Sequence, residues 1–127
     1  MLKDKCWEAM SLFTRLKNAD AQGIVACVTC GARKHYTKMN AGHFQHNVLD
    51  FDEMNINCQC VRCNKWLHGN LTSYTMYLLL LHGKEKIDDL LKRSLVKHKY
   101  TEEELTILLP ILQEKLEKVK KGEYTVI

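Results

Sequence analysis

Two cysteine pairs set the terms for this chain. Cys27-Val-Thr-Cys30 and Cys60-Val-Arg-Cys63 repeat one C-x2-C spacing across 29 intervening residues. A two-residue gap lets both thiolates of a pair reach one tetrahedral ion at ~2.3 Å, and Gly31 lets the backbone turn tightly behind the first pair. Four thiolates close the coordination shell, so Cys27, Cys30, Cys60 and Cys63 read as a structural zinc site. Residues 24–70, which hold both pairs, are polar and broken, with short β-prone pieces at Ile24–Ala26, Gly42–Gln45 and Ile56–Gln59. Such a stretch cannot build a core alone, and the metal supplies the missing folding energy. Disulfides are the competing use of six cysteines. The N-terminus, however, carries acids and lacks a cationic start followed by an apolar run, so no secretory signal is expected. Cys6 falls on the apolar face of the first helix, and Cys58 is expected to face away from the metal; both read as packing.

Helices flank the cysteine-rich stretch. Cys6, Met10, Phe13 and Leu16/Lys17, with Trp7 beside them, predict an amphipathic helix from Leu2 to about Asp20, ending before Gly23. Beyond the second pair, Asn70 is a good N-cap for Leu71–His82, with Leu71, Tyr74, Leu78 and Leu81 on one face and Gly83 as the stop. Ile87, Leu90, Leu91 and Leu95 mark a helix over roughly 84–98. Thr101-Glu102-Glu103-Glu104 is a capping-box pattern opening a third, striped by Leu105, Leu108, Leu109, Leu112, Leu116 and Val119 and ended by Gly122. Pro110 inside it removes one backbone bond and is expected to kink it. The 127 residues therefore read as one domain: an N-terminal helix (1–22), a zinc module (23–70) and a helical region (71–127).

A spacer of 29 residues exceeds what a zinc ribbon needs, so it should hold an extra β-hairpin or loop. Within it lie Ala41-Gly42-His43-Phe44 and, twelve residues after the histidine, Asn55; Asn64 directly follows the last cysteine. Histidine, asparagine and a metal-capable residue just past a C-x2-C form the pattern of HNH (ββα-metal) nucleases. The chemistry explains the residue types. Phosphodiester hydrolysis needs a base for water, and an imidazole with an ordinary pKa of ~6.5 suits neutral pH. It also needs a hard cation on the scissile phosphate, for which an amide oxygen such as that of Asn64 is an acceptable ligand. His43 is thus the candidate base, Asn64 the Mg²⁺ or Mn²⁺ ligand, and Asn55 the residue that fixes the base's orientation.

Cys27-x-x-Cys30-Gly, Ala41-Gly42-His43-Phe44, Asn55-Ile56-x-x-Gln59-Cys60-Val61-x-Cys63-Asn64, Gly69-Asn70-x-x-x-Tyr74 and Tyr100-Thr101-x-Glu103-Glu104 together resemble the phage NinG/Rap recombination proteins. The resemblance covers about residues 24–121, and the Cys-Asn ending of the second pair is shared with phage resolvases of the endonuclease-VII type. It implies a structure-specific DNA endonuclease acting on Holliday junctions and D-loops in the cytoplasm of a bacterial host. It further implies a structural zinc, a divalent catalytic metal and a dimer. Two features depart from the wider HNH pattern. Where many such enzymes carry a second metal ligand, immediately before the histidine, this chain has Gly42, which leaves Asn40, Asp50 and Asp52 as candidates to assist Asn64. The loop His46-Asn47-Val48-Leu49-Asp50-Phe51 has no arginine; His46 and His68 read as surface residues.

The expected fold is α+β: a treble-clef zinc scaffold with an HNH site, followed by a helical bundle packed on the N-terminal helix. The expected partner is branched or duplex DNA. A net charge of +4 is compatible with a polyanion without demonstrating one. Arg33, Lys34, Lys38, Arg62 and Lys65, with Trp66, surround the pairs and could contact phosphates, while Lys115, Lys118, Lys120 and Lys121 read as a solvated helix end. No apolar run approaches the ~18–20 residues a membrane span requires, so no membrane partner and an intracellular location are expected. Paired incisions across a junction favour a homodimer through the leucine-rich helices. The rival reading is a treble-clef module that binds nucleic acid or protein without chemistry.

Overall fold

The computed structural model describes residues 1–124. The last three residues of the expected helical region, 125–127, lie outside that range. Helix α1 (Leu2–Leu16) buries Cys6, Ala9, Met10 and Phe13, the stripe that its periodicity predicts. It stops four residues before Asp20. The Asp20 carboxylate accepts the backbone N–H groups of Gln22 and Ile24, both at 2.9 Å, and this turn takes the chain away from the helix axis.

Two antiparallel ribbons follow. Strand β1 (Ile24–Ala26) pairs with β2 (Arg33–His35) around the first cysteine pair. Strand β3 (Met39–His43) pairs with β4 (Ile56–Cys60), setting Met39 opposite Cys60, Asn40 opposite Gln59 and Gly42 opposite Asn57. The expected strand at Gly42–Gln45 therefore begins three residues earlier and ends at His43. β2 is a run of three polar residues with no apolar alternation to announce it. Cys63 sits in a π-helical turn, Arg62–Trp66.

Helices α2 (Leu71–His82), α3 (Lys84–Ser94) and α4 (Glu102–Lys120) complete the chain. The capping box of α4 forms in both directions between Thr101 and Glu104, and the helix runs on through Pro110. α3 ends at Ser94, short of 98; Ile87 and Leu90 are buried, while Leu91 and Leu95 are exposed. α2 buries Tyr74 and Leu78 but leaves Leu71 and Leu81 exposed, against the expected face. Asn70 occupies the N-cap place in a left-handed conformation (φ 48°) and makes no side-chain cap.

The helices do not form one bundle. α4 packs on α1, where Leu105, Leu112 and Leu116 join Cys6, Met10, Phe13 and Ile56 of β4. α2 and α3 close instead over the opposite side, where Phe44, Tyr74, Leu78, Ile87 and Leu90 form a separate cluster. The β3–β4 ribbon lies between these two cores. One face meets α1 through Ile56, and the other meets α2 through Asn57 and Gly42. Tyr74, fully buried, donates its hydroxyl to the Gly42 carbonyl at 2.8 Å and accepts from the Asn57 amide at 3.0 Å. No helix among the described residues is long and apolar enough to cross a membrane.

Candidate functional site

The four paired cysteines converge. Their sulfurs all lie within 4.8 Å of one another, the one such cluster of metal-binding side chains among the described residues. Cys30 and Cys60 are 3.7 Å apart; four sulfurs at ~2.3 Å from a tetrahedral ion would be separated by about 3.8 Å. The cluster could hold a metal ion such as zinc. Its sulfurs are also hydrogen-bonded from outside: Thr29 hydroxyl to Cys27 (3.2 Å), Cys63 amide to Cys60 (3.5 Å) and Asn70 side chain to Cys63 (3.6 Å). The left-handed turn at Asn70 thus delivers an amide to a sulfur of the cluster instead of capping α2.

Cys58 is not in this set. Against the expectation that it faces away from the metal, it lies on the same side of β4 as Cys60, because residues two apart on a strand share a face. It packs with Val25 and Met39, and burial pushes its thiol up to about 12. Cys6 belongs to the α1–α4 core, as its periodicity predicts.

Within the metal cluster, burial raises Cys27, but bonds from Thr29 and from backbone amides outweigh it and bring the thiol down to about 6. Cys30 stands at about 12: a bond from Ala32 favours its thiolate, but burial and the three neighbouring thiols override that. At neutral pH Cys30 therefore keeps a proton that a dication must displace. Zinc affinity is expected to rise at least about tenfold per pH unit from about 6.5 to 8.5, read by competition with a chromophoric chelator. A pH-independent affinity would show that the thiols are already ionised.

His43 ends β3. Its Nε2 is 2.9 Å from Asp50 Oδ1, and its ring stacks on Trp7 at 5.3 Å between centroids. Asp50 also lies 3.8 Å from Lys3. Of the carboxylates considered as metal helpers, Asp50 is thus engaged with the imidazole. Asp52 is turned elsewhere: it pairs with Arg93 and accepts the Met54 N–H at 2.9 Å.

Asn55 is fully buried and ties the connecting loop together. Its Oδ1 accepts the Gln45 N–H at 2.7 Å, and its Nδ2 donates to the carbonyls of Gln45 (3.1 Å), Val48 (3.0 Å) and Leu49 (3.3 Å). The loop so held presents Asp50 to His43. Asn55 acts on the loop backbone and, in this structure, does not touch the imidazole.

Asn64, in the π-turn, places Oδ1 3.0 Å from the point where a β-carbon on residue 42 would sit. Gly42 adjoins His43 in sequence, but consecutive strand residues point to opposite faces, so His43 meets Trp7 of α1 while Asn64 packs on the Gly42 side. Asn64, Asn40, Ala41 and Lys65 line a cleft along the free edge of β3, opposed by Trp7, Ser11 and Arg15 of α1. With Lys3, those α1 residues form an i, i+4, i+8, i+12 row. That row was open to reading in the sequence, but the apolar stripe beside it explained the helix without it. The Asn40 Nδ2 is buried without a partner.

The basic residues divide. Lys65 lines the cleft, while Lys34, Lys38 and Arg62 are exposed elsewhere and Arg33 pairs with Asp20 at 3.4 Å. Lys115 is not a free helix-end charge: it pairs with Glu53, which also accepts from Tyr124. Lys118 and Lys120 make local pairs with Glu114 and Glu117. His46 and His68 are exposed, as expected.

A family model described as the bacteriophage lambda NinG protein matches residues 2–123. The chain belongs to the NinG family. It is 31% identical over 119 residues to protein ninG of Escherichia phage 933W, covering 91% of this chain and 56% of that one. The lambda protein ninG is 30% identical over 119 residues, covering 91% and 55%. That of Salmonella phage P22 is 30% identical over 117 residues, covering 89% and 55%. The chain spans about half the length of these curated relatives. No solved structure matches it.

Proposed function

We propose that this NinG-family chain is a metal-dependent DNA endonuclease of the HNH type, built on a treble-clef zinc scaffold. The observation that carries the reading is His43, held at the end of β3 by Asp50 and Trp7, with the Asn64 amide oxygen packed against the preceding residue, Gly42. An Asp50 carboxylate bonded to Nε2 keeps the ring proton on that nitrogen. Nδ1 is then the nitrogen left to take a proton from water. Asn55 holds the loop that carries Asp50, so it positions the base through a second residue.

Asn64 is the side chain that would hold Mg²⁺ or Mn²⁺. When bound, such an ion offsets charge on the scissile phosphate and the leaving 3′ oxygen. Lys65 and Arg15 in the cleft, with Lys3 close by, suit phosphate contacts that fix register without reading sequence. Recognition by shape fits branched DNA, the substrate that the motifs imply. Exposed Met76, Leu79 and Leu80 on α2 would serve two-fold pairing, which brings two incisions to one junction.

The test is nicking of supercoiled plasmid with Mg²⁺ or Mn²⁺, then cleavage of matched linear, flap, D-loop and four-way substrates. His43→Ala is expected to lose roughly 10²–10⁴-fold in rate, the usual worth of a positioned general base. Equal nicking by the variant, or none by the parent protein with any divalent ion, would leave a zinc module that binds without chemistry.

A further inference from the structure

Gln59 is a buried amide with only one of its two ends hydrogen-bonded. Its side chain is wholly inaccessible, on the face of β4 that turns towards Gly42. Its Nε2 donates to the Gly69 carbonyl at 2.8 Å and lies 3.1 Å from the Thr29 hydroxyl. Because a carbonyl only accepts, those contacts fix which end of the amide is nitrogen. The other end, Oε1, is buried with no hydrogen-bond partner. An orphaned acceptor of this kind is destabilising unless something outside the chain satisfies it.

What Oε1 faces is informative. It lies 1.9 Å from the point where a β-carbon on residue 42 would sit, and Asn64 Oδ1 lies 3.0 Å from the same point. The two oxygens are therefore separated by no more than the sum of those distances, under about 5 Å. Any side chain at 42 would collide with Gln59, so Gly42 is what admits the amide. Two side-chain oxygens thus converge, and the unpartnered Nδ2 of Asn40, paired across the ribbon from Gln59, makes no hydrogen bond to either. Oxygens sharing one Mg²⁺ at ~2.1 Å in octahedral positions stand about 3 Å apart, within that limit.

We infer that Gln59 Oε1 is a direct ligand of the divalent ion held by Asn64, filling from β4 the place that Gly42 leaves empty on β3. The inference rests on the nuclease reading of this site and deepens it. It accounts for three facts together: a glycine beside the base, a buried glutamine with one unmet acceptor, and an asparagine following the last cysteine. A neutral pair of amide ligands binds a cation more weakly than an amide–carboxylate pair, so millimolar rather than micromolar occupancy is expected.

The test reads metal binding, not cleavage, in the zinc-loaded full chain. In Mg²⁺ titrations of the unsubstituted protein, the Gln59 side-chain carbonyl carbon should shift in step with that of Asn64, with one dissociation constant. By Mn²⁺ electron paramagnetic resonance, Gln59→Ala should bind at least tenfold more weakly at unchanged zinc content. The Gly42→Asp/Gln59→Ala pair, which returns a carboxylate to the vacated space, should recover binding. If Asn64 shifts while Gln59 does not, or if Gln59→Ala binds Mn²⁺ as the parent does, Gln59 is no ligand and the nuclease reading stands. If the amide oxygen is met instead by a rotated Asn40 or Asn64 side chain, Gln59 will respond to neither ion, and it is again no ligand. Absence of Mn²⁺ binding by the parent protein, together with absence of nicking, would sink both.

Discussion

Stripping the metal from the four-cysteine site is expected to unfold residues 24–70 and to disable everything the β3–β4 ribbon carries. The cluster around that site holds Val25, Met39 and Cys58 besides the three buried ligands, so little apolar surface is buried there without metal. Structural zinc contributes roughly 10–16 kcal/mol to the folding of zinc-finger peptides at pH 7. Whole domains are stable by only ~5–15 kcal/mol. The metal term is therefore as large as the entire margin. A strong chelator, or Cys60→Ser, should abolish amide-exchange protection in β1, β2 and β4 and expose the π-turn. Added zinc should restore it in the chelated protein but not in the variant. α1 and α4 pack on one another through Met10, Phe13, Leu105 and Leu112, so part of the helical circular dichroism should survive. Unchanged protection in β1 and β4 after zinc is shown to be gone would overturn this account.

The metal cluster was legible because C-x2-C spacing is local: two residues fix how far apart two sulfurs stand, whatever the rest of the chain does. The α4 start was legible for the same reason, since Thr101 and Glu104 satisfy each other's backbone within one turn. Features that depend on which distant element lies alongside were hidden. Asp50 and Asp52 look equivalent in sequence, yet one meets His43 and the other Arg93 of α3, because the loop held by Asn55 turns them to different sides. α2 is apolar nearly all round from Tyr77 to Leu81, so periodicity could not say which leucines Phe44 and α3 would cover. Leu80 ends 85% exposed. Asn70 followed the N-cap rule by position, but the tight turn after the π-helix puts it at positive φ, where its amide meets Cys63 instead. Gln59 could be read only as one residue of a motif. Its meaning comes from the strand pairing that sets it across from Asn40 and against Gly42.

Asn55→Ala is expected to be the most damaging single substitution outside the metal ligands. The side chain makes four bonds, all to backbone groups of the 45–49 stretch, of which only the Leu49 carbonyl has a second partner among the described residues, the Asp52 N–H at 3.2 Å. Truncation strands the Gln45 N–H and the Gln45 and Val48 carbonyls, the Leu49 carbonyl keeping the Asp52 N–H, at about 1–3 kcal/mol for each group that cannot relax to water. A net loss of about 3–5 kcal/mol follows, which lowers Tm by roughly 10–25 °C in a domain of this size. Asn55→Asp separates hydrogen bonding from shape. It keeps the acceptor for the Gln45 N–H but turns a buried carboxylate towards three carbonyls, so at pH 7 it should be no more stable than the alanine variant. Burial and those carbonyls favour the protonated acid in the folded state above its unfolded value of ~3.9. The folded protein then binds the extra proton, and the aspartate variant should gain stability as pH falls from 7 through its folded pKa, while the alanine variant gains none from this source. Loop positions 47 and 49 hold positive φ without glycine, at 63° and 51°, and the Asn55 amide helps to hold that strain. Once it is released, Asp50 leaves the imidazole. Nicking should then fall at temperatures well below the variant's melting point, in step with loss of exchange protection at Gln45. Melting within a degree of the parent protein would mean that the loop is held from elsewhere.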